Sequence, residues 1–125
     1  MQMDIMKLNS QGGQILEDFV KKTEIGGAIL STSEGLEMAS YFNDSSKDAD
    51  LIAADSASML SVISGMLDNT GKGHLKEVII TAENGSIAVK DLGEDIALAV
   101  LVPGNYKMGG LIVALKILIK ELEAL

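Results

Sequence analysis

The sequence predicts an α/β architecture of the α+β sandwich kind: a five-stranded, mainly antiparallel sheet, with one long helix on one face and the N- and C-terminal helices on the other. Three observations carry this. Apolar residues recur at three- and four-residue steps in three separate segments; the stretches between them read as short strands joined by turn formers; and residues 96–102 are apolar on both faces. A strand of that last kind belongs in the middle of a sheet whose two sides are both covered.

In chain order, the first helix is marked by Ile15, Leu16, Phe19 and Val20 and ends in the polar Lys21-Lys22-Thr23-Glu24. Its start stays open, because Gly12-Gly13 interrupts an earlier turn holding Ile5, Met6 and Leu8. Within "GGAILSTSEGLEMASYF", residues 26–42, Ala28-Ile29-Leu30 reads as one strand, and Leu36, Met38 and Phe42 alternate with Glu37, Ala39 and Tyr41 in a second. Between them, Thr32-Ser33-Glu34-Gly35 supplies polar turn formers and a glycine able to take positive φ, so the pair reads as a hairpin.

Residues 47–70 contain no Pro, and Ile52, Met59, Ile63 and Met66 recur with Leu60 and Leu67 as a long amphipathic helix, with Gly71 as its C′ residue. Three strands follow, joined by Asn84-Gly85 and by Gly93-Glu94-Asp95. A two-residue Asn84-Gly85 turn sets Ala82 opposite Ile87, Ile80 opposite Val89 and Val78 opposite Asp91. After Pro103-Gly104, Asn105 is the expected cap of a last helix with the stripe Leu111, Leu115, Leu118 and Leu122, flanked by Ile112 and Ile119.

Composition narrows the function classes. The 125 residues suit one domain, residues 1–125, with no repeat or linker. Two Phe, two Tyr and no Trp leave no aromatic platform for stacking bases, and a net charge of −8 opposes nucleic acid and anionic lipid. Without Cys there is no disulfide, thiolate metal site or Cys nucleophile. The start lacks a basic segment followed by an apolar one, and the longest wholly apolar run, residues 96–103, falls short of the ~20 residues that span a bilayer. A cytoplasmic protein that does not insert into membrane is the expectation.

No motif for chemistry is complete. A phosphate loop needs G-x-x-x-x-G-K-[ST] between a strand and a helix, and the element after Gly35 is another strand. The stretch from Gly104 to Gly109 has the right context, but Gly110 and Leu111 stand where Lys and Ser/Thr would hold phosphate and Mg²⁺. His74 is the only His and has no Cys or second His to join it, while Asp44, Asp48, Asp50 and Asp55 lack the spacing of a calcium loop. Ser56, Ser58, Ser61 and Ser64 have no relay partner on their helix. Catalytic, cofactor and metal residues are therefore expected to be absent.

More telling is a row of small residues, Ala54, Ser58, Ser61 and Gly65, at steps of four, three and four along one helix face. Gly inside a helix costs about 1 kcal/mol relative to Ala, so a close-packed second backbone is one reading and weakly polar surface the other.

The element order, with "GGAILSTSEGLEMAS", "LKEVIITAENGSIAVKDLGEDIALAVLV" and the helix entry "PGNYKMGGLIVAL", resembles the Roadblock domain family of dynein-light-chain-like proteins over nearly the whole chain. Glu34-Gly35 departs from the Asp-Gly often found at that turn. The resemblance implies a homodimer or heterodimer that binds a small Ras-like GTPase as scaffold, regulator or activating partner, with dynein adaptors as the eukaryotic variant. The rival is a profilin-like or sensor-type domain holding a small ligand, which needs a cavity with convergent polar groups where the strands offer mostly Ile, Val, Leu and Ala. If the strand at residues 75–82 ends the sheet, Val78, Ile79 and Ile80 form an apolar edge that a second copy would cover, bringing Ala54, Ser58, Ser61 and Gly65 of the two long helices together.

Overall fold

The computed structural model describes residues 3–125. In chain order the elements are α1 (Ile5–Thr23), β1 (Gly27–Thr32), β2 (Glu37–Phe42), α2 (Ala49–Asn69), β3 (Glu77–Ala82), β4 (Gly85–Gly93), β5 (Ile96–Pro103) and α3 (Met108–Glu123). All neighbouring strands are antiparallel, in the order β2-β1-β5-β4-β3. The doubly apolar strand β5 takes the centre, as its composition requires. Leu98 and Val100 point to the layer of α1 and α3, where they join Leu8, Leu16, Leu30 and Leu118. On the other face Ala99 meets Ile29, Val89 and Ala53 of α2 in a far smaller cluster.

Helix α1 runs unbroken through Gly12-Gly13, so the start that the sequence leaves open lies at Ile5, where the Asp4 carboxylate accepts the Lys7 N–H at 3.1 Å. Gly12 is buried because α1 lies directly on β2: a Cβ there would sit 3.2 Å from that of Ala39. At the β1–β2 turn Gly35 takes φ +92 and donates its N–H to the Thr32 carbonyl at 3.0 Å. A Cβ on Gly35 would come within 3.1 Å of the Ala54 Cα, so the turn is a plain hairpin on which α2 rests. Leu30 pairs with Ala39 and Ser31 with Glu37, leaving Met38 as an extra residue. This bulge breaks the strict alternation, leaves Ala39 and Tyr41 in the cluster under α1, and places Phe42 in the one under α2.

Asp48 caps α2, accepting the Leu51 N–H at 3.2 Å. At its other end the Lys72 N–H reaches Leu67 and the Gly71 N–H reaches Asp68, the paired bonds of a Schellman stop with Gly71 at C′. Two local expectations are corrected. The β3–β4 turn is Glu83-Asn84, not Asn84-Gly85, so Ala82 faces Gly85, Ile80 faces Ile87 and Val78 faces Val89. Gly85 is a strand residue at φ +146 whose Cβ would lie 2.4 Å from the Val102 carbonyl oxygen; contact with β5 places it there, and local turn signals do not report that contact. The shift leaves every side chain on its expected face. Nor is Asn105 the cap of α3: Tyr106 donates its N–H to the Pro103 carbonyl, holding a turn, and the helix starts after Lys107 with no side-chain cap bond.

Candidate interaction surface

Helix α2 packs on β1, β2 and β5, leaving β3 and β4 bare on the same side of the sheet. Ile80 and Ile87, directly opposite one another there, are 40% and 36% exposed. With Leu101 they floor an open groove of about 630 Å³, bounded by Asn43, Asp44 and Lys47 before α2 and by the Glu83-Asn84 turn. The Asp44 carboxylate accepts the Ser46 N–H at 3.0 Å, and that bond holds its pKa below the usual carboxylate range.

The groove opens onto an unpaired strand edge. Strand β3 ends the sheet and pairs with β4 alone. The Asp91 N–H donates to the Lys76 carbonyl at 3.4 Å, so the backbone groups of Lys76, Val78 and Ile80 turn toward β4. Those of Glu77, Ile79 and Thr81 turn outward, with no partner strand among the described residues. Ile79 is 38% exposed on the α1/α3 face, whereas Val78 and Ile80 lie on the face that carries α2.

On α2, Ala54, Ser58, Ser61 and Gly65 are all exposed. A Cβ added to Gly65 meets nothing within 4 Å, so no packing within the chain explains that glycine. Around this row stand three large apolar residues that sequence reasoning did not single out as surface: Leu51, Val62 (66% exposed) and Met66, the last expected on the buried stripe. The stripe that does face the sheet is Ala53 and Ser56, with Ile52, Met59 and Leu60 half-buried. Helix α2 is apolar on both sides, and periodicity by itself does not say which side finds the sheet. Its length and composition would even permit a membrane span, yet Ala53 is fully buried in the protein and Asp50 and Asp55 are exposed on the same helix.

The structure thus brings Val78 and Ile80 to the side of the sheet that bears the α2 row, and sets Ile79 on the edge facing the other layer. Ser58 and Ser61 are exposed with no side-chain partner, His74 is exposed in the α2–β3 loop, and among the described residues no three His, Asp or Glu converge as metal ligands. What this surface offers chemically is apolar area and backbone hydrogen-bonding groups, the means of binding another protein.

The sequence profile of the Roadblock/LC7 domain matches residues 12–102. Among curated proteins no sequence matches the chain. Of the solved structures with this architecture, Myxococcus xanthus MglB superposes with a TM-score of 0.83 at 15% identity, over 99% of this chain and 90% of that one. A Roadblock/LC7 domain from Streptomyces avermitilis gives 0.79 at 20% identity over 90% and 94%, and an MglB in a tetrameric arrangement gives 0.80 at 18% over 93% and 88%. At these identities the likeness is one of fold.

Proposed function

This chain belongs to the Roadblock/LC7 domain family, and on that premise we propose that it is a non-catalytic, cytoplasmic interaction module that dimerises and binds a small Ras-like GTPase, regulating or scaffolding it. The observation that carries the reading is the unpartnered surface formed by the β3 edge, the bare β3–β4 face and the outer side of α2. Soluble proteins seldom leave an apolar strand edge of this kind open, and a two-fold partner covers all three features at once. In that dimer β3 pairs with its copy, and the rows Ala54, Ser58, Ser61 and Gly65 let the two α2 helices approach closely. The occurrence of MglB in a tetrameric arrangement supports self-association within the fold. The rival small-ligand reading draws little from the groove, which is an open trough and not an enclosed cavity.

Two measurements test this. Light scattering after gel filtration is expected to return twice the 13.2 kDa chain mass, and a monomer refutes the dimer. Interferometry against the purified Ras-like GTPases of the source cell, each loaded with GDP or a GTP analogue, is expected to show binding in one nucleotide state. Failure of every GTPase in both states refutes the partner. Calorimetry with GTP or ATP on the isolated protein is expected to be silent, and micromolar binding refutes the non-catalytic, nucleotide-free reading.

A further inference from the structure

We infer that the β3 edge pairs with a second copy in one register only, with the two-fold axis passing through Ile79, so that Ile79 faces its own copy, Val78 faces Ile80 and Glu77 faces Thr81. The inference rests on the dimer proposed above and specifies it. Its starting point is the direction of the edge groups: the outward N–H and C=O of β3 belong to Glu77, Ile79 and Thr81. A two-fold perpendicular to the sheet sets odd residues opposite odd ones, which engages these groups and keeps both copies of α2 on one side.

Side chains then choose among the remaining registers. An axis through Glu77 sets two carboxylates against each other, and an axis through Lys76 does the same with two ammonium groups. Moving the axis to Ile80 faces Glu77 with Glu83, again like against like. With the axis at Val78, Glu77 stands opposite Ile79 and Lys76 opposite Ile80, so both exposed isoleucines lose their apolar partners. At Ile79 every central pair is apolar, Lys76 faces Ala82, and Glu77, 3.5 Å from Lys90 of its own chain, gains a neutral threonine across the axis. This register is the one that covers Ile79 and Ile80 with apolar side chains and sets no charges of one sign opposite each other.

Because the chain has no Cys, single Cys variants at residues 77–81 carry one nitroxide label per copy. Each step away from the axis separates a label from its copy by about 7 Å more along the strands. Dipolar broadening is therefore expected to peak at Ile79→Cys and to fall equally at Val78→Cys and Ile80→Cys. A peak at another residue overturns the register. The charge at Thr81 gives an independent readout: Thr81→Glu meets Glu77 of the other copy twice and Thr81→Lys pairs with it twice, so the Glu variant is expected to dissociate roughly tenfold more readily than the Lys variant. Equal dimer affinities overturn the register as well. A monomeric parent protein in light scattering overturns the dimer beneath it, and a dimer that shows no broadening along β3 overturns the strand pairing.

Discussion

The two hairpins that flank β5 have the same topology and opposite surroundings. Hairpin β1–β2 is covered on both faces, by α1 on one and α2 on the other, and its outer strand is interrupted by the bulge at Met38 and carries Glu37 and Ser40, whose side chains bond each other at 2.7 Å. Hairpin β3–β4 is bare under the α2 layer, and its outer strand is a regular run of Val78, Ile79 and Ile80. A bulge and a charge are the means by which a sheet protects an edge, and a flat apolar strand lacks both. The difference teaches that one edge of this sheet is built to stay alone and the other to be covered.

The largest expected effect sharpens the contrast between the glycines of the two hairpins. Gly85→Ala combines a disallowed φ with a Cβ 2.4 Å from the Val102 carbonyl oxygen, and a loss of about 3 kcal/mol in urea unfolding is expected. Gly35→Ala, at φ +92 and 3.1 Å from the Ala54 Cα, is expected to cost about half as much, roughly 1.5 kcal/mol. Equal costs would show that β5 does not hold the β3–β4 hairpin in the manner described.

Next come the edges themselves. Ile79→Lys is expected to weaken the dimer roughly thirtyfold, about 2 kcal/mol, while circular dichroism stays that of a folded chain. Ser40→Lys on the β2 edge is expected to leave the sedimentation profile unchanged. A dimer that tolerates the first change or dissolves with the second breaks the comparison.

On α2 the two substitutions at Gly65 pull in opposite directions. Gly65→Ala is expected to raise monomer stability by about 1 kcal/mol, since the added Cβ meets nothing and a helical glycine is removed. Gly65→Leu is expected to push the helices of a dimer apart and raise the monomer fraction in gel filtration. A dimer indifferent to the leucine places the helix contact elsewhere.

The smallest effect is at Asp44, on the rim of the groove. Its pKa is lowered in the folded chain by the Ser46 N–H, so the stabilisation it gives is present above the carboxylate range and is lost as pH falls through the folded value. Asp44→Asn is expected to flatten slightly the acid limb of stability against pH, and an unchanged limb would show that the bond contributes nothing there.

What the sequence by itself determined is whatever neighbours a few residues apart can encode. The double apolarity of residues 96–102 set β5 in the centre, Gly71 stopped α2, and the polar run after Val20 ended α1, because periodicity, capping and turn chemistry are local. The apolar edge of Val78, Ile79 and Ile80 was legible for the same reason. The tertiary structure alone decided what depends on distant partners. Gly85 looked like a turn residue and is a strand residue set by Val102; Gly12 looked like a break and is where α1 lies on Ala39. Met66 looked buried and is exposed, and Leu51 and Val62 join it on the outside, because a helix apolar on two sides carries no local mark of which side the sheet will cover.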